Sequence, residues 1–131
     1  MMSIKPEITI LIPAYQEAEI ITSVIQEVRT TMDQTHRPYE ILVIDDGSKD
    51  ETASRAVSAG ARVVSHPYNI GNGAAIKTGI RQAKGKILVT MDGDGQHDPA
   101  FPRARLQRYP RRRGVGNVRR RRQRHDTVVL L

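Results

Sequence analysis

No cysteine occurs in these 131 residues, which excludes disulfides and thiolate metal sites and fits a reducing, cytoplasmic setting. Nor does any apolar run approach the roughly 18–20 residues needed to span a bilayer. The opening stretch MMSIKPEITILIPAY carries proline and glutamate inside its apolar part, so it is not expected to be a secretion signal. Three ligand-binding motifs are missing as well. There is no G-x-x-x-x-G-K-[ST] phosphate loop. GNGAAI (71–76) lacks the third glycine of the dinucleotide fingerprint, which belongs after a first strand, where this chain has PAYQE. A calcium loop counted from Asp92 needs glycine at its sixth place and glutamate at its twelfth, and the chain has His97 and Arg103 there.

Lysine is absent from the last part of the chain, and this locates the net charge of +7. Residues 1–100 hold ten Lys/Arg against thirteen Asp/Glu, a balance of −3, whereas residues 101–131 hold eleven Arg against Asp126 alone, a balance of +10. The basicity therefore belongs to 101–131, whose pattern shows neither a helical nor a strand period. Nucleic-acid binding is disfavoured, because no element presents Tyr109 beside those arginines.

Before residue 101 the pattern alternates strand and helix. ITILI (8–12), EILVI (40–44), ARVVS (61–65) and KILVTM (86–91) are short apolar runs, the mark of strands covered on both faces. Between Glu17 and Thr31, Ile20, Ile21, Val24, Ile25 and Val28 recur at helical spacing. Ser48 with Glu51 predicts a capping box opening a short helix that Gly60 closes. Ala74, Ala75, Ile76, Gly79, Ile80 and Ala83 predict the inner side of a third helix. Such alternation gives an α/β fold with parallel strands, a Rossmann-like sheet with flanking helices.

Ligands of an open parallel sheet sit beyond the carboxyl ends of its strands. The first strand runs into PAYQE (13–17), the second into DDGS (45–48) and the fourth into DGDGQHD (92–98), so three segments deliver acidic and polar groups to one edge. Taken singly, most of these have a plain structural reading. DDGS is also a strand-ending turn, Glu17 a favourable charge in a first helical turn, Tyr15 a packing residue, and Asp98 a helix cap before Pro99. DGDGQHD resists that reading, because carboxylates so close repel unless a cation is bound. Asp92, Asp94 and Gln96 alternate, so an extended segment turns all three the same way. They are hard oxygen donors suited to magnesium or manganese.

ILIPAYQEAEII, EILVIDDGSKDET, NIGNGAAIKTGI and ILVTMDGDGQHDP, in this order and spacing, resemble the nucleotide-binding half of family 2 glycosyltransferases. The likeness is to the branch with dolichol- and polyprenyl-phosphate mannosyl- and glucosyltransferases, and it covers residues 8–99. The resemblance implies a GT-A fold and inverting, Mg2+- or Mn2+-dependent transfer from a nucleotide-diphosphate sugar. The acceptor it implies is a lipid phosphate or a glycan, which brings peripheral association with the cytoplasmic face of a membrane. Carried over by motif, Pro13, Ala14, Tyr15 and Glu17 line the nucleotide pocket, and Asp45 and Asp46 contact base and ribose. Asp92, Asp94 and Gln96 hold metal and diphosphate, with Asp94 as the catalytic position and Asp92 also on the donor.

After Ala100 the chain departs from that pattern. Residues 1–100 are expected to be the nucleotide-sugar-binding part of a GT-A domain. Residues 101–131 are expected to be an irregular, disordered or aberrant tail that adds little to the core, since eleven arginines cannot be buried without partners. A truncated or frame-shifted continuation is the expectation there. The competing function is a non-catalytic nucleotide-binding remnant, or a basic module for polyanions.

Overall fold

The computed structural model describes residues 5–91 and the strand 127–130. The elements run β1 (Ile8–Ala14), α1 (Ile21–Asp33), β2 (Tyr39–Asp45), α2 (Thr52–Ser58), β3 (Arg62–Ser65), α3 (Asn72–Gln82), β4 (Ile87–Thr90) and β5 (Thr127–Leu130). All four strand pairings are parallel, in the order β3-β2-β1-β4-β5. The α/β class and the four strands expected before residue 100 are therefore present. Thr127–Leu130 adds a strand that the sequence pattern of 101–131 does not announce; its register sets Ile87 against Thr127 and Thr90 against Leu130.

Alternation along the strands divides the core in two. Ile8, Ile10 and Ile12 of β1 and Ile41 and Val43 of β2 pack with Ile21, Val24, Ile25, Val28 and Met32 of α1 and Ala56 of α2. On the opposite face Leu11, Leu42, Ile44 and Leu88 pack with Ala75 of α3 and Ala83 just beyond it. Burial on both faces is why these strands read as unbroken apolar runs. Gly79 lets α3 lie close: a Cβ there would meet the Leu11 methyl groups at 2.3 and 2.4 Å.

Two local expectations are corrected. The first helix starts at Ile21 rather than near Glu17, because Gln16 takes a left-handed turn at φ 51° and residues 15–20 form a loop. The Ser48–Glu51 capping box does not form. Asp50 Oδ1 instead accepts the Thr52 N–H at 3.0 Å, while Ser48 Oγ accepts the Gln16 N–H at 2.8 Å. Glu51 pairs with Arg55 one turn on. The far end of α2 is as expected. Gly60, at φ 98°, donates to the Val57 carbonyl, and Ala61 donates to that of Ala56, the closing pair of bonds a glycine permits.

Candidate functional site

Strands β2 and β3 lie on one side of β1 and strands β4 and β5 on the other, so the chain winds outward from β1 to β3 and then crosses back to place β4 on the other side of β1. Open parallel sheets form their ligand crevice at such a reversal, beyond the carboxyl ends. Pairing of β1 with β4 stops at Leu11 and Thr90, whereas pairing with β2 continues to Ala14 and Asp45. Leu11 turns its carbonyl to the Met91 N–H, and Ala14 turns its carbonyl to the Asp46 N–H. By alternation, the backbone position of Pro13 faces the β4 side, where pairing has already ended. A residue with no N–H is therefore placed where none is needed. That is the mouth of the crevice.

The loop after β1 is fastened to the segment after β2 by side chains. Ser48 Oγ accepts the Gln16 N–H, Thr52 Oγ1 accepts the Glu17 N–H at 2.9 Å and Asp50 Oδ2 accepts the Ala18 N–H at 3.4 Å. Arg55 donates to the Ala18 carbonyl at 2.7 Å. The polar residues of DDGSKDET thus hold PAYQE in place. In this setting Pro13 and Ala14 are buried, Glu17 is half-buried and Tyr15 is exposed.

The two aspartates of DDGS are both buried and do different things. Asp45 accepts the Ser48 N–H on Oδ1 and the Ser65 hydroxyl on Oδ2, both at 3.1 Å. Asp46 reaches further. Its Oδ1 lies 2.7 Å from His66 Nδ1 and accepts the Ile70 N–H at 3.0 Å, and its Oδ2 accepts the Gly71 N–H at 2.8 Å. Burial pushes the Asp46 carboxyl up, but the hydrogen bonds from His66, Ile70 and Gly71 outweigh it and hold the group below its ordinary 3.8. Since an ionised carboxylate only accepts, His66 Nδ1 carries the proton. The other ring nitrogen lies 2.8 Å from Thr78 Oγ1 on α3.

Sequence reasoning placed Asp45 and Asp46 correctly at the strand end and passed over His66, Thr78, Asp50 and Thr52. His66 stood within reach of the same rule, since it directly follows the third strand and so lies on the same edge. Thr78 lies mid-helix and carried no signal. Asp92, Asp94 and Gln96 lie outside the described residues; the chain is followed as far as Met91, bonded to Leu11 at the crevice. Among the described residues, no three His, Cys, Asp or Glu side chains gather as a metal site.

The sheet order and the acidic carboxyl edge define an open α/β domain wound in both directions from β1. The chain belongs to glycosyl transferase family 2, whose sequence model matches residues 9–127. It is 34% identical over 99 residues to an undecaprenyl-phosphate 4-deoxy-4-formamido-L-arabinose transferase of Pseudomonas fluorescens, covering 70% of this chain and 29% of that protein. The transferase of the same name from Salmonella choleraesuis is 33% identical, with 71% and 30% covered. Among solved structures, glucosyl-3-phosphoglycerate synthase from Mycobacterium tuberculosis, in complex with Mn2+, UDP and glucosyl-3-phosphoglycerate, superposes with a TM-score of 0.66. Identity is 32%, over 78% of this chain and 39% of that one. The parallel sheet and its helices are those of the GT-A glycosyltransferase fold. The chain spans about a third of the length of the curated relatives it matches.

Proposed function

We propose that this chain carries the donor-binding part of a metal-dependent, inverting glycosyltransferase. The donor is a UDP- or GDP-linked sugar and the acceptor a polyprenyl or dolichyl phosphate. One observation carries the reading: the ends of β1 and β2 meet, fastened by Ser48, Asp50 and Thr52, where β1 loses its β4 neighbour. In this family-2 chain, that crevice is the place for a nucleotide.

Pro13, Ala14, Tyr15 and Glu17 line the pocket in this reading, and Asp45 and Asp46 meet base and ribose. The Asp46 carboxylate has about four acceptor positions, and three protein donors occupy three of them. One remains for a ribose hydroxyl or a base N–H. Asp92, Asp94 and Gln96 come directly after β4 in the sequence, and their hard oxygens fit Mg2+ or Mn2+. Such an ion would stabilise the charge that builds on a diphosphate as its sugar departs. The complex of the mycobacterial synthase with Mn2+ and UDP supports both donor and metal. The name of the arabinose transferases supports a polyprenyl-phosphate acceptor. An acceptor that is already anionic needs no general base. Such a lipid-borne acceptor would draw the protein to the cytoplasmic face of a membrane as a peripheral visitor; among the described residues no helix is long and apolar enough to cross one.

The second reading, a nucleotide-binding remnant or polyanion-binding module, draws on the +10 balance of residues 101–131. Calorimetry with UDP and with GDP, in MnCl2 and in EDTA, separates the two. Metal-dependent affinity that Asp94→Asn abolishes with the fold intact supports the transferase reading, and unchanged affinity in Asp94→Asn removes the metal assignment. Salt-sensitive binding of any polyanion, indifferent to metal, favours the second.

A further inference from the structure

Two side chains from other segments, Asp46 and Thr78, meet on the His66 ring, and two loop amides meet on Asp46. His66 follows β3, Asp46 follows β2, Thr78 sits on α3, and Ile70 and Gly71 form the loop that leads into α3. The Asp46 carboxylate receives its hydrogen bond from the ring and gathers the two loop amides, while the far side of the ring meets the Thr78 hydroxyl. Both partners are nearly closed to solvent, with side chains 10% and 6% exposed for His66 and Asp46. The same loop also rests on Gly47, whose missing Cβ leaves room for the Tyr68 and Asn69 backbone. Asp46, Gly47 and His66 therefore seat the loop from beneath. Tyr68 and Ile70, 66% and 51% exposed, stand on its outer side at the carboxyl edge.

We propose that His66 is a positioning residue for nucleotide binding, acting through Asp46 and the 67–71 loop. This rests on the donor-binding reading of the crevice and names a residue that the motifs do not assign. Its two ring nitrogens are taken by Asp46 and Thr78, so the ring acts on a nucleotide through Asp46. It satisfies one side of Asp46 Oδ1, which fixes the rotation of the carboxylate and leaves the open position of Asp46 to the ligand. It also ties β3 to α3 through Thr78, so the loop and the start of α3 keep one place relative to β2. Without the ring, the carboxylate can turn and trade the Ile70 or Gly71 amide for water.

The test uses the full chain, with UDP and GDP in MnCl2 as probes. His66→Ala removes both contacts and should weaken nucleotide binding about tenfold, the effect of losing one hydrogen bond to a charged group. In the same variant, hydrogen exchange at the Ile70 and Gly71 amides should quicken while that of β1 and β2 holds. His66→Asn returns an N–H donor near the place of Nδ1 and should restore affinity to within about threefold of the parent. A residue that served only to fill space would not be rescued in this way. Should His66→Ala not fold, Thr78→Val supplies the second arm, with a smaller loss and the same quickened amides. Parent-like affinity in His66→Ala, or in Thr78→Val where it replaces it, overturns the inference while the donor-binding reading stands. So does a failure of His66→Asn to restore binding. An absence of nucleotide binding by the parent chain overturns that reading and the inference with it.

Discussion

A Cβ on Gly47 would lie 2.2 Å from the carbonyl carbon of Tyr68 and 2.5 Å from the Asn69 nitrogen. Twenty-one residues apart, the turn after β2 and the loop before α3 share a contact that only a glycine allows. Gly47 also stands at φ 76°, where a side chain is strained whatever the space around it.

Gly47→Ala should therefore be among the costliest single-methyl changes in the chain. Strain at positive φ and a clash against backbone together should remove about 2–4 kcal/mol from the unfolding free energy. Gly73 is the control. It lies in α3 with open space around its Cβ position, so Gly73→Ala should be neutral or stabilise by up to about 1 kcal/mol. Urea unfolding of the two variants measures both, and equal effects would remove the close-contact account of Gly47.

Gly79 and Leu11 provide a test of the second core. Gly79→Ala drives a methyl into the Leu11 side chain and should cost about 1–3 kcal/mol by overpacking. Leu11→Ala alone should cost about 2–5 kcal/mol through the cavity it leaves. In the double variant the new methyl occupies part of that cavity, so the two losses should fall short of adding. Additive losses would place α3 farther from β1 than it lies here.

Asp46 ties stability to acid. Its folded carboxyl sits below the ordinary value of 3.8, so the folded state favours the charged form. The contribution is fully present above pH about 4 and fades as pH falls through the lowered folded value. Asp46→Asn should lose it at neutral pH, and its stability should then fall less steeply between pH 5 and pH 3 than the parent's. Parallel stability curves over that interval would show that Asp46 titrates alike in both states.

Tyr39 does the same at the alkaline end. Burial first, then the hydrogen bond and charge of Asp33, push its phenol up to about 12; the hydroxyl lies 2.6 Å from Asp33 Oδ1. A raised folded value means stability present below pH about 10 and lost as pH climbs through about 12. Phenolate absorbance should show Tyr39 titrating late, and Asp33→Asn should move that titration toward 10. A late tyrosine unmoved by Asp33→Asn would leave burial as the whole cause.

Much of the local structure was legible from one pattern. ITILI, EILVI and KILVTM announced buried strands because a strand covered on both faces has no solvent side on which to place polar residues. Gly60 announced the end of α2 because a left-handed closing residue is nearly always glycine. The capping box misled for an equally physical reason. Ser48 and Glu51 have the right spacing, but the Gln16 amide, 32 residues away, claims the Ser48 hydroxyl. Asp50, nearer the start of the helix, takes the Thr52 amide in its stead. Helical spacing from Glu17 onward was real, yet Gln16 turns left-handed and the Glu17 and Ala18 amides are held by Thr52 and Asp50, so the helix starts only at Ile21.

By itself the sequence determined the α/β class, the parallel direction of the strands and the meeting of PAYQE and DDGS at one sheet edge. Each follows from hydrophobic periodicity and from the alternation of elements, properties a chain carries before it folds. Only the tertiary structure decided how the edge is shared out. Asp45 and Asp46 are adjacent and chemically identical, yet Asp45 holds its own turn and Ser65 of β3, while Asp46 reaches His66, Ile70 and Gly71. Alternation sends neighbouring side chains to opposite sides of a strand, so two equal letters meet different partners. Which partners they meet depends on the order β3-β2-β1-β4-β5, and long-range packing settles that order.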